Sequence, residues 1–285
     1  MRKILLTTDF SENAWNAIVY AIELFKNEKC FFHILHTYTP AFYRLDYMLG
    51  GPSFSAIPDV GIDVALEGLE TTLLEIKTKY NNPKHQFKTF AAFNTLTDEI
   101  LSITQNEKID LIVMGTQGAT GVKEIFLGTH TVHVLRKATK PVLVIPNNYK
   151  FKEIKSILFP SDYRTRLQKE ELKILLDIAR VQKASLRILN VKDTYDLTED
   201  QKVNKKIIAN HFKGIEHSFE ELRGKLMPNA IHEYIAEHQT DFLAIMNHKL
   251  SFLERLIVRT SIDSIGYYST VPFLVLPFSS ILKTN

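Results

Sequence analysis

The chain has 285 residues, 45% of them hydrophobic and 24% charged, with a formal charge of +3 whose basic residues are scattered rather than striped. This composition belongs to a folded protein large enough for one big domain or two smaller ones, and it speaks against disorder and against nucleic acid as a partner. One cysteine, Cys30, inside the apolar run "CFFHIL", excludes an internal disulfide framework and reads as a buried small hydrophobe.

In chain order, "RKILLTTD" reads as a buried strand and "SENAWNAIVYAIELFKN" as a helix behind a capping Ser11. The opening has too few apolar residues for a secretory leader, and no stretch approaches a membrane span, so the expectation is a cytoplasmic protein with no membrane partner. "FFHILHTY" is a second strand. A loop rich in Gly, Pro and Tyr follows from Thr39 to Gly61, fit for a lid or a partner surface. Then come a helix in "DVALEGLETTLLEIKTKY", a strand in "HQFKTFAAF", a helix in "LTDEILSITQNEK", and a strand in "DLIVMG". A glycine loop, a helix through "THTVHVLRKAT" and a last strand "PVLVIP" complete the series. Strands alternating with helices predict an α/β fold with an open, mostly parallel sheet covered on both faces.

The order then begins again. "EIKSILFPSDY" echoes "RKILLTTDF" with Asp162 in the place of Asp9, "ASLRILNV" echoes "FFHILHTY", "TDFLAIMN" echoes "IDLIVMG", and "STVPFLVLP" echoes "ATKPVLVIP". A repeat this long is a domain, not a solenoid unit, so two tandem five-stranded domains are expected, residues 1–147 and 153–285, joined by "NNYKFKE". The middle of the second copy is shorter. It holds a helix over about Glu199–Lys213, a brief strand near "HSFEEL" and a helix in "PNAIHEYIAEHQ".

Of the 11 glycines in the chain, Gly115, Gly118, Gly121 and Gly128 fall in one loop behind "DLIVM". Glycines are costly in regular structure, so the loop either turns sharply or lets something approach its backbone. The loop lies at the carboxyl end of a parallel strand and opens a helix at Gly128-Thr129, where free N–H groups and the positive dipole end converge on an anion. Walker-type closure by Lys-Ser or Lys-Thr is missing, and the first turn, "TTDFSEN", has no dinucleotide-type glycines.

The spacing Gly-x2-Gly-x9-Gly-Thr, with the opening "ILLTTDFSENA", the turn "DLIVMGTQG" and the closing "ATKPVLVIP", resembles that of the tandem universal stress proteins along nearly the whole chain. The resemblance implies an adenine-nucleotide-binding fold and one site in the first domain for ATP or AMP, with or without magnesium. Asp9 is implied beside the ribose and adenine, the Thr37 backbone at the adenine edge, and Gly115 near the ribose, with Met114 also among the nucleotide-binding residues. Gly118, Gly128, Thr129 and His130 are implied at the phosphates, although His130 departs from the small residue expected there. The residues also admit plainer readings. Asp9 alone would serve as a helix cap, Gly121 as a turn residue, and His130 with His133 as surface histidines rather than half of a metal site.

In the second copy Asn247, Leu250 and Arg259 replace Gly115, Gly118 and Gly128, which closes the loop to phosphate. Lys249, Arg255 and Arg259 form a basic stretch that also reads as an amphipathic helical turn. The two last strands are apolar throughout, and the resemblance implies that they pair, Val142 and Val144 facing Phe273 and Val275; association of two chains stays open. Three roles fit: a nucleotide-binding stress-response module with an unidentified protein partner, a slow ATP hydrolase, or an interaction module with an empty loop. Catalytic machinery for phosphoryl transfer is not evident, so an enzyme is the less expected reading.

Overall fold

Ile4, Leu5 and Leu6 are all essentially inaccessible although neighbours on a strand point to opposite faces. Both faces of that strand are therefore covered, as in a doubly wound α/β sheet. The computed structural model describes residues 1–38, 60–116, 128–192, 196–223, 229–247 and 270–278. They divide into two compact units, one running to Lys140 and one from Pro141 on.

The first unit contains β1 (Arg2–Thr7), α1 (Glu12–Leu24), β2 (Cys30–Thr37), α2 (Val60–Lys79), β3 (His85–Ala92), α3 (Leu96–Asn106), β4 (Leu111–Gly115) and α4 (Thr129–Lys137). Its strands run in the order β3-β2-β1-β4, all parallel, with Thr7 opposite Leu35 and Leu6 opposite Val113. The order reverses between β1 and β4, which is the switch point where such sheets hold ligands. β3, at the end of this order, is less buried than β1 and β4, with only His85 buried. Local signals fix the helix starts: Ser11 caps α1 by accepting from the Ala14 N–H, and Thr95 caps α3 by accepting from Asp98.

The second unit contains β5 (Val142–Ile145), β6 (Ser156–Pro160), α5 (Lys173–Gln182), β7 (Ser185–Lys192), α6 (Glu199–His211), β8 (His217–Arg223), α7 (Asn229–Glu237), β9 (Phe242–Asn247) and β10 (Phe273–Pro277). Its order is β5-β10-β9-β6-β7-β8. β10 runs parallel to β9 and antiparallel to β5, with Phe273 opposite Val144 and Val275 opposite Val142. The brief strand near "HSFEEL" is β8, paired along β7 from Leu186–His217 to Lys192–Arg223. α5 has no counterpart among the elements read from the repeat: it begins only at Lys173, whereas α1 begins three residues after Asp9. The basic stretch with Lys249, Arg255 and Arg259, and the aromatic loop from Thr39, lie outside the described residues.

The duplication reaches individual hydrogen bonds. The Asp110 N–H donates to the Lys3 carbonyl while the Lys3 N–H donates to the Asp110 carboxylate, both at 2.8 Å. Asp241 repeats this with Ser156, at 3.0 and 3.1 Å, and adds the Lys155 N–H and the Lys152 ammonium. Burial works to raise the Asp241 pKa, but the Lys152 ammonium and these N–H donors outweigh it and hold the carboxyl below its ordinary value.

Candidate functional site

Where β1 ends, the chain makes a tight turn. Thr8 continues the ladder through its N–H to the Leu35 carbonyl, and its hydroxyl accepts from the Phe10 N–H at 3.0 Å. This bends Phe10 into the left-handed region, at φ 64°, a costly conformation for a bulky side chain that the surrounding bonds hold in place. Asp9, exposed at the mouth, accepts from both the Ser11 N–H and the Ser11 hydroxyl. The helix cap is thus Ser11, and the Asp9 carboxylate orients the capping hydroxyl.

β2 delivers His36 and Thr37 to the same edge. The His36 Nδ1 lies 2.9 Å from the Thr8 carbonyl, which only accepts, so Nδ1 carries the proton. The ring stacks on Phe10 at 4.2 Å between centroids. Thr37 is half-buried, and beyond it the Tyr38 N–H donates to Ala92.

β4 delivers the buried Met114 and then Gly115. A Cβ on Gly115 would lie 2.6 Å from the amide nitrogen of the buried Asn13 side chain, so a larger residue here would have to displace that side chain. The Gly115 carbonyl accepts from the Thr131 hydroxyl at 3.1 Å, and the Thr116 carbonyl accepts from the Gly128 N–H, which ties the start of α4 to the end of β4. The Thr116 hydroxyl is buried with no hydrogen-bond partner among the described residues.

α4 differs from α1 and α3 at its start. Its N-cap is Gly128, no side chain caps it, and no acidic residue stands in its first turn. Thr129 and His130 are both exposed there. The orphan N–H groups and the dipole of this end consequently face outward without a protein acceptor from a cap side chain.

Parallel pairing of β1 with β2 and β4 brings Asp9, Thr37, Met114, Gly115, Gly128, Thr129 and His130 to one edge of the first unit. Gly118 and Gly121 lie outside the described residues. Among the described residues, no group of three or more His, Cys, Asp or Glu is placed to hold a metal ion, and no helix is long and apolar enough to cross a membrane. Asn13, Phe10 and His36 belong to the edge as well. One signal for His36 was in the chain: the repeat sets it against Asn190, another polar residue ending an apolar strand.

The second unit rebuilds the turn. The Ser161 hydroxyl accepts from Tyr163 N–H at 3.2 Å, Tyr163 has φ 55°, Asp162 accepts from the Arg164 N–H, and the Asn190 amide donates to the Ser161 carbonyl at 2.7 Å as His36 does to Thr8. α6 then closes over it. Gln201 donates to the Asp162 carbonyl and Asn204 to the Tyr163 carbonyl, both at 2.8 Å, and Tyr163 is wholly buried. That burial pushes its phenol pKa up.

The universal stress protein family profile matches residues 1–146. Universal stress protein MJ0577 of Methanocaldococcus jannaschii is 33% identical over 159 residues, 50% of this chain and 94% of that relative. Universal stress protein YxiE of Bacillus subtilis is 30% identical over 148 residues, with 50% and 97% covered. A crystal structure of a universal stress protein from Archaeoglobus fulgidus shares the fold over 96% of this chain and 98% of its own, with a TM-score of 0.67 at 21% identity. With the profile spanning the whole first repeat and relatives matched over nearly their full lengths, the chain belongs to the universal stress protein family.

Proposed function

We propose that the first unit binds one adenine nucleotide, ATP or AMP, and that the chain serves as a nucleotide-responsive stress module in the cytoplasm. The observation that carries this reading is the glycine-started, side-chain-uncapped N-terminus of α4, fastened to the end of β4 at the switch point of the sheet. The buried Thr116 hydroxyl beside it, without a hydrogen-bond partner among the described residues, suits an incoming oxygen acceptor. In this reading Gly128, Thr129, His130 and Gly118 meet the phosphates, with magnesium accompanying a triphosphate. Asp9 and Gly115, beside Met114, meet the ribose, and the Thr37 backbone meets the base. Domain boundaries near residues 147 and 153 and pairing of the two copies through their last strands go with it, and the antiparallel Val144–Phe273 register supports the latter. The second unit, whose turn is closed by Gln201 and Asn204, acts as scaffold and as the surface for a protein partner or a second chain. Hydrolysis is incidental to this role.

The test is to denature the purified protein and resolve the released nucleotides by anion exchange, with AMP, ADP and ATP as standards. About one adenine nucleotide per chain is expected, with binding lost in Gly128→Arg, which copies the second repeat. Absence of nucleotide, before and after incubation with millimolar ATP and magnesium, would overturn the proposal and leave the glycines to the turn alone.

A further inference from the structure

The two units build the same first turn and treat the space beneath it differently. In the second unit α6 fills that space: Gln201 and Asn204 bond to the turn carbonyls, and the Lys205 ammonium lies over the Tyr163 and Phe219 rings at 5.8 and 5.0 Å. In the first unit α2 presents Gly68 there, and a Cβ at that position would come within 2.5 Å of the Phe10 ring. Glycine inside a long helix is unfavourable, so its use here permits a close approach. Phe10 stays 37% exposed, and between α1 and α2 a cleft of about 360 Å³ remains, with Phe10 and Trp15 on one wall and Val64, Glu67, Gly68 and Glu75 on the other.

We infer that this cleft is a binding site for an amphipathic organic amine: an ammonium group carried on an apolar body. The chain displays the chemistry itself. The Lys79 ammonium sits against the Glu75 carboxylate and 5.8 Å from the centre of the Trp15 ring, a carboxylate and an aromatic face sharing one cation. Glu67 supplies a second carboxylate, and no cation is paired with it among the described residues. Phe10, Trp15 and Val64 supply apolar surface for the body of the ligand, while Thr8 and Thr72 floor the cleft with short polar side chains. A neutral or anionic ligand of the same shape would leave Glu67 without a counter-charge and would face like charge, respectively.

Trp15 is the one tryptophan of the chain and lies in the wall, so its emission reports this site without interference. The probe is phenethylammonium, with 2-phenylethanol as the neutral analogue, titrated into the full-length, nucleotide-free protein. Saturable change in Trp15 emission is expected with the amine and much weaker binding with the alcohol. Glu67→Gln should weaken the amine by about two- to fivefold, the range of an exposed ion pair. Lys79→Ala should tighten it by removing the resident ammonium, and Gly68→Ala should weaken both probes by pushing the Phe10 ring into the cleft. Equal affinity for amine and alcohol, no effect of Glu67→Gln in a variant with an unchanged circular dichroism spectrum, or no saturable signal at all would each overturn the assignment.

Discussion

At the scale of single residues, the switch-point edge shows how one glycine answers to two demands. Gly115 stands where the nucleotide ribose is proposed, and it also stands 2.6 Å, measured from a would-be Cβ, from the Asn13 amide. The second demand is testable without any ligand. Gly115→Ala should destabilise the protein by about 1–3 kcal/mol, the cost of overpacking, in urea unfolding monitored by circular dichroism. Adding Asn13→Ala should recover a measurable part of that loss, because the two atoms in conflict are then apart. An additive double variant would mean that Gly115 is required by backbone geometry alone. Sequence pattern made Asp9, Gly115 and Gly128 legible, since each sits at a strand end or a helix start. Asn13 and Phe10 were not legible, and His36 was signalled only by the repeat, because their roles arise from contacts between α1, β2 and the first turn that no local pattern encodes.

At the scale of elements, the caps explain which helices the chain announces. Ser11, Thr95 and Thr198 each precede their helix by one residue and accept from an N–H in its first turn. All three helices are visible in the sequence for that reason. α5 is not, because Leu172 at its N-cap offers no side-chain acceptor and the start moves to Lys173, away from the Asp162 turn. β8 is faint for a related reason: it carries the adjacent acidic residues Glu220 and Glu221 in place of an apolar run, and only pairing with β7 makes it a strand. α6 carries a full capping box, with Thr198 and Gln201 bonding reciprocally, and Gln201 also reaches the Asp162 carbonyl. Thr198→Ala should therefore cost about 1 kcal/mol through the cap, and it should loosen the lid over Tyr163 as well. Tyr163 reactivity toward tetranitromethane checks the second effect. Faster nitration in the variant is expected under conditions where both proteins are fully folded, and equal protection would show that α6 holds the turn without its cap.

At the scale of the whole molecule, stability should depend on pH through histidines spread over both units. His33 is fully buried between the Phe31 and Phe90 rings, with the Glu107 carboxylate 3.6 Å away, Lys88 paired with that carboxylate and Lys3 donating to the Glu107 carbonyl. Burial lowers its pKa below the ordinary value of 6.5, against the pull of Glu107. His85 is lowered by burial against the Phe25 carbonyl, and His232 by burial alone. For a group depressed in the folded state, the unfolded chain binds a proton first as pH falls, so stability is fully present above about 6.5 and declines below it. Each such histidine contributes at most about 1.4 kcal/mol per pH unit within its window. Urea unfolding at pH 7.5 and pH 5.5 should therefore give a lower free energy at the acid end, in both units. His33→Phe, which keeps an aromatic ring between Phe31 and Phe90, should reduce that difference while changing stability at pH 7.5 far less. If the variant instead retains the full acid sensitivity, the Glu107 carboxylate compensates His33 protonation in the fold, and the linkage rests on His85 and His232.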